Sequence, residues 1–216
     1  MTSYGNANTY ASNTGAKIEI RSTMDVQYRD KNNNIKTYKP LVSFLAFVTS
    51  FNDSFTSNWN TENVYGRQDP IGTFQGTTRV ISLNFDVVAF SEDDAKDNLK
   101  KINTLTNMLY PTYNAIEGQS NALSLSKAPL VEMKFANLIQ ENSGFLLGWI
   151  SSFSANPVID MGMFSRDGKL YPKVHNASLT FNPQHRAQLG TVKRTIGNNK
   201  DPLFSPKAKF PYDGGR

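Results

Sequence analysis

The stretch TRVISLNFDVVAFSEDDAKDNLKKINTLTNMLYP, Thr78 to Pro111, contains a change of period that decides the fold. Up to Val88 the apolar residues alternate. Ile81, Leu83, Phe85 and Val87 point one way and Ser82, Asn84 and Asp86 the other, as in a strand with one buried face. From Ser91 the spacing becomes three or four, through Ala95, Leu99, Ile102, Leu105, Met108 and Leu109, which predicts an amphipathic helix. Ser91 with Asp94 three residues on is an acidic variant of the capping box. Glu92, Asp93 and Asp94 sit at the positive end of the helix dipole, and Lys96, Lys100 and Lys101 follow. Pro111 stops the helix, because proline lacks the N–H that would continue it. The helix is expected to lay Leu99, Ile102 and Leu105 on the sheet.

On the N-terminal side, residues 1–16 are mostly Asn, Thr, Ser, Gly and Ala and read as a flexible arm. Alternation begins at Lys17 and predicts a strand to about Tyr28. DKNNN (Asp30 to Asn34) predicts a turn, since Asn tolerates left-handed backbone angles, and IKTYKP predicts a second strand. Leu41 to Trp59 predicts one long strand, or two with a bend near Asn52-Asp53. GRQDPIGTFQG, residues 66–76, predicts a structured loop. Beyond the helix, Pro129 to Asn137, Gly144 to Ser154 and Val174 to Phe181 predict strands, and Arg166-Asp167-Gly168-Lys169 predicts a hairpin turn. The expected body, residues 17–185, is mainly β, a sandwich or barrel with one flanking helix.

Composition narrows the function. Among 216 residues there is no cysteine, which excludes disulfides, thiol catalysis and cysteine-based metal sites. No apolar run reaches the roughly 18 residues of a membrane helix, so no membrane partner is expected. The first fifteen residues lack the order of a signal peptide, so production in a cytoplasm is expected. The net charge of +5 lies in residues 186–216, with seven Lys/Arg and two Asp, while the rest carries sixteen groups of each sign. The body is therefore not a basic nucleic-acid binder. The seven large apolar side chains of that extended basic tail return less on burial than ordering its backbone costs. It is expected to act as a strap on a neighbouring subunit, anchored by Leu203, Phe204, Phe210 and Tyr212.

Residues that could carry chemistry have ordinary explanations. His175 and His185 have no orienting carboxylate within a few residues. Glu92, Asp93, Asp94 and Asp97 cap a helix start and lack calcium-loop spacing. Gly66, Gly72 and Gly76 are followed by no GK[ST] and no helix start. No catalytic, cofactor-binding or metal-ligating residue is assigned, and the chain is not expected to be an enzyme.

The order of these elements resembles a pattern of bacteriophage tail-tube and baseplate proteins. There a G-R-x-D-P loop (here Gly66, Arg67, Asp69 and Pro70) leads to a strand flanked by Thr and Arg (Thr78, Arg79). A helix then ends in L-Y-P-x-Y (Leu109, Tyr110, Pro111 and Tyr113). GKLYPKVHNASLTFNPQH, Gly168 to His185, is similar to that family's closing strand. The resemblance covers about a third of the chain and implies a tail-tube-like fold, two antiparallel sheets in a barrel-like sandwich with a helix at the side. It further implies a homohexameric ring in the virion, at the junction of baseplate and tube, that initiates or caps the tube. Its partners would be the tail-tube protein, hub proteins and DNA passing without sequence-specific binding. Ser82, Asn84 and Asp86 are candidates to face that channel, whose lining should avoid strong positive charge. The alternative is a β-sandwich module of a tail that binds a carbohydrate or a receptor.

Overall fold

A computed structural model describes residues 17–186, apart from 31–32, 46, 116–122 and 142–143, together with Leu189 and Tyr212. The expected arm, residues 1–16, lies outside the described residues. The chain is mainly β with one helix. Its strands are β1 (Lys17–Ser22), β2 (Val26–Arg29), β3 (Ile35–Tyr38), β4 (Leu41–Leu45), β5 (Phe47–Glu62) and β6 (Ile71–Val88), then helix α1 (Glu92–Asn107). There follow β7 (Thr112–Ala115), β8 (Leu123–Lys127), β9 (Val131–Phe135), β10 (Leu146–Pro157), β11 (Met163–Arg166), β12 (Lys169–Pro172) and β13 (Val174–Pro183). Seven strands form one antiparallel sheet in the order β4-β1-β9-β10-β13-β6-β5, and β2–β3, β7–β8 and β11–β12 are separate two-stranded ribbons.

The alternation in the sequence puts one face of the seven-stranded sheet into a single core. Ile18 and Ile20 of β1, Phe44 of β4, Leu83 and Phe85 of β6, Met133 of β9 and Leu179 and Phe181 of β13 are all buried there. The sheet is strongly curled. Phe44 on its first strand meets Phe85 on its sixth with ring centroids 5.7 Å apart, whereas a flat sheet would hold those strands about 24 Å apart. The first and last strands of the sheet are also neighbours along the chain, since β4 ends at Leu45 and β5 begins at Phe47.

Several boundaries differ from the sequence reading. The first strand ends at Ser22, where the Ser22 hydroxyl accepts from the Met24 amide at 3.0 Å and turns the chain into β2. Asn52-Asp53 is no bend: β5 runs through it, and Asp53 is held by Arg79 across the ladder. The loop is shorter than residues 66–76, since Gly72 and Gly76 lie within β6. Gly76, with φ of 152°, sits beside the irregularity at Asn58 and Trp59. β7 and β8 were not foreseen. The Arg166–Lys169 hairpin forms as read, with Asp167 and Gly168 at φ of 52° and 70°.

The Ser91 hydroxyl accepts from the Asp94 amide and caps α1 as expected. Of the expected stripe, Leu105 is buried in the core and Ile102 packs against it, but Leu99 does not. Ala95, Asn98 and Leu105 face inward, Ile102 is half-buried, and Leu99 is 38% exposed. The helix rests on β4 and β12, and that seat is narrower than its apolar stripe.

His175 faces the core from β13, and burial holds its pKa below the ordinary histidine value. His185 is lowered too, first by burial and then by the Arg79 charge. The folded chain thus binds these protons less readily than the unfolded chain. Stability is full above the unfolded value near 6.5 and falls as pH drops through it. Melting temperature is expected to decline from pH 7 to pH 5, and His175→Gln should flatten the decline. A flat profile in the parent chain would contradict this assignment. Glu132 acts lower on the scale. Burial raises its pKa, but hydrogen bonds and charge from Arg21 and Arg186 outweigh that and leave it below 4.5, so its contribution fades only under that range.

Candidate functional site

The outward face of β6 carries Ser82, Asn84 and Asp86, the residues singled out in the sequence. Strand pairing extends each into a row across four strands. The rows are Ser152–Thr180–Ser82–Asn52, then Ser154–Ser178–Asn84–Ser50, then Asn156–Asn176–Asp86–Phe47. Ten of the twelve are Ser, Thr or Asn, and Asp86 is the one charge. The side chains partner one another. The Ser154 and Ser178 hydroxyls share a hydrogen bond of 2.9 Å, and Asn176 donates through Nδ2 to Asp86 Oδ1 at 2.8 Å. Such a face stays wetted, since hydroxyls and amides keep hydrogen-bonding water, yet it offers no cation to hold a polyanion.

The second feature is a ribbon that outruns the sheet. β13 covers β6 only from Ile81 to Val88. From Arg79 back to Ile71, β6 pairs with β5 alone, and β5 is the edge strand of the sheet. The ribbon closes through a turn in which Gly66 takes φ of 81° and the Arg67 amide donates to the Val64 carbonyl at 3.1 Å. Its apolar side chains are uncovered. Trp59 packs edge-on against Phe74 at 5.2 Å, yet both are more than half exposed, and Ile71, Val64 and Tyr65 are exposed beside them.

At the ribbon's root Arg79 and Asp53 form a two-point ion pair, Nε to Oδ1 at 2.8 Å and Nη2 to Oδ2 at 2.6 Å. Their side chains are 3% and 1% exposed. The Phe55 ring lies 5.1 Å from the guanidinium carbon, a cation–π contact that helps keep water out. An open cleft of about 630 Å³ borders the pair, with Phe55, Phe74, Trp149, His185 and Leu189 among its lining. His185 thus has Asp53 and Glu141 within electrostatic reach, which their separation in sequence concealed. Both Asp53 oxygens are engaged by Arg79, and that leaves the carboxylate poorly suited to orient a catalytic histidine.

The root also meets the C-terminal segment. Arg186 is clasped at its start, its amide donating to Glu141 at 2.9 Å and its guanidinium to Glu132, which Arg21 grips from the other side at 2.5 Å. Of the four expected strap anchors, Leu203, Phe204 and Phe210 lie outside the described residues. Tyr212 donates its hydroxyl to Asp53 Oδ2 of the same chain at 3.1 Å. Sequence reasoning missed both Asp53–Arg79 and Glu132–Arg186. The one available signal for the first was an arginine on the apolar side of an alternating strand.

Among the described residues no group of three or more His, Asp or Glu could hold a metal ion, and no helix is long and apolar enough to cross a membrane. The chain matches no protein-family model and no curated protein.

Proposed function

We propose that the chain is a non-enzymatic structural subunit of a bacteriophage tail, forming a homohexameric ring that initiates or caps the tube where it joins the baseplate. The observation that carries this reading is the polar, cation-free face that the rows on β5, β6, β13 and β10 form, with Asp86 its one charge, which suits the wall of a DNA channel. Each Lys or Arg placed there would add a phosphate contact and its counterion-release gain, and sliding would slow. Hydroxyls and amides keep the passage wet without gripping.

Two further features favour the ring. A ribbon whose edges pair with no other strand among the described residues, and whose aromatics are uncovered, is a liability unless another chain covers it. A head-to-tail contact made by one such ribbon closes into a ring when its rotation divides the circle. The curl that joins Phe44 to Phe85, with the edge strands β4 and β5 one residue apart, fits a barrel-like body of two packed sheets. The tail-tube protein and hub proteins are the expected neighbours, and the virion tail the expected location.

Native mass spectrometry and negative-stain imaging of the purified chain, alone and with its hub partner, test the proposal. A six-copy ring with an open lumen is expected, as is no retention of duplex DNA. Asn84→Lys, at an exposed position, should leave melting nearly unchanged while the ring now retains DNA in a salt-dependent way. A chain that stays monomeric in both preparations overturns the reading. One observation favours a carbohydrate-binding module instead, namely the aromatic-lined cleft at Trp149 and Phe55. Titrating the chain with oligosaccharides while following Trp fluorescence checks it.

A further inference from the structure

The apolar stripe of α1 is wider than the surface it sits on, and the uncovered part is not featureless. Leu99 and Ile102 lie on the side of the helix that faces the β11–β12 hairpin, and Tyr171 of β12 stands opposite them. The hairpin reaches the start of the helix through Arg166, whose Nη1 donates to Glu92 Oε1 at 3.2 Å. An open cleft of about 570 Å³ results. Its floor is Leu99, Ile102 and Tyr171, and its rim is Lys96, Lys100 and Lys169. No carboxylate lines it among the described residues.

We propose that this cleft binds an acidic, amphipathic peptide segment of a partner protein, one or two aliphatic or aromatic side chains entering the floor while flanking Glu or Asp residues meet the lysines. The charge on the rim selects the sign of the partner. Asp97, just outside the cleft, has its pKa lowered by the hydrogen bond from Lys100, by the charge of Lys100 and by those of Lys101 and Lys96, so the local field already favours carboxylates. The Lys100–Asp97 contact of 3.0 Å is about two-thirds exposed on both sides. A pair so exposed is weak, and Lys100 can turn to an incoming acid. The floor, two aliphatic side chains and the single ring of Tyr171, selects a peptide over a nucleic acid, which would call for a series of aromatic platforms and a continuous basic track. The chain's own segment 186–216 carries a net +5 and is repelled.

The site lies on α1 and β12, away from the face assigned to the channel, and it stands or falls without the ring. The probe is a short fluorescein-labelled peptide with Leu at helical spacing flanked by Glu, titrated against the full chain by anisotropy. Saturable binding is expected, weakened about tenfold or more by Lys96→Glu with Lys169→Glu and by Leu99→Ser. Lys36→Glu, at an exposed lysine remote in sequence, should leave it unchanged. Three results overturn the proposal: equal affinity for the variants, equal affinity for polyglutamate without Leu, or equal competition by single-stranded DNA. Should a variant fail to fold, the methyl resonances of Leu99 and Ile102 in the unaltered chain decide. Their failure to shift at peptide saturation overturns it as well.

Discussion

Arg79→Met is expected to lower the stability of the isolated chain by about 3 to 5 kcal/mol, because it strands a buried carboxylate. The Asp53 side chain is 1% exposed and receives hydrogen bonds of 2.8 and 2.6 Å from this arginine. Tyr212 offers one neutral hydroxyl in return, which cannot replace a guanidinium. The double variant Asp53→Leu with Arg79→Met should recover most of the loss, since a well-packed apolar pair of similar volume is often neutral or better. Urea denaturation of both single variants and the double completes the cycle. A loss under about 1 kcal/mol in Arg79→Met would mean that water reaches Asp53. In hydrogen exchange, the ribbon amides from Thr56 to Thr78 should open first in the single variant, because the pair pins the ribbon to the sheet.

Phe85→Ala is expected to cost about 3 to 5 kcal/mol, combining lost transfer energy with a cavity that rigid strands cannot collapse. Phe85 is fully buried and lies where β6 meets β4 across the curl. For a chain of this size each kcal/mol moves the melting point by about 2 to 4 °C, so a fall of roughly 6 to 20 °C should appear in calorimetry. Phe74→Ala, on the exposed ribbon, should change the isolated chain by less than about 0.5 kcal/mol. Equal effects at the two positions would mean that the core is not where β6 alternation puts it.

The sequence was most legible where one local period repeats. Alternation placed Ile81, Leu83, Phe85 and Val87 inward and Ser82, Asn84 and Asp86 outward, and the cap at Ser91 located the helix start to the residue. It was least legible where a side chain is fixed by something distant along the chain. The stripe through Leu99 could be read as apolar but not as uncovered, because only the positions of β4 and β12 decide how much of a helix is seated. Asn52-Asp53 carries turn chemistry, and nothing nearby reveals that Arg79 holds it in a strand. The polar rows were half visible. Their β6 members could be named, but their partners on β10 and β13 depend on register set some 90 residues later.

That distance has a consequence for how the chain comes to be made. Asn176 meets Asp86 across 90 residues, and β1 waits still longer for β9, with Arg21 and Glu132 separated by 111. At ribosomal speeds of 5 to 20 residues per second, about 5 to 18 s pass between synthesis of β6 and of β13. Through that interval β6 has only β5 paired beside it, and its row of Ile81, Leu83 and Phe85 has only part of the sheet, β1 and β4, to close over it. Such non-local pairing folds slowly, so yield during expression should respond to translation rate and to holding chaperones more than to the final stability of the fold.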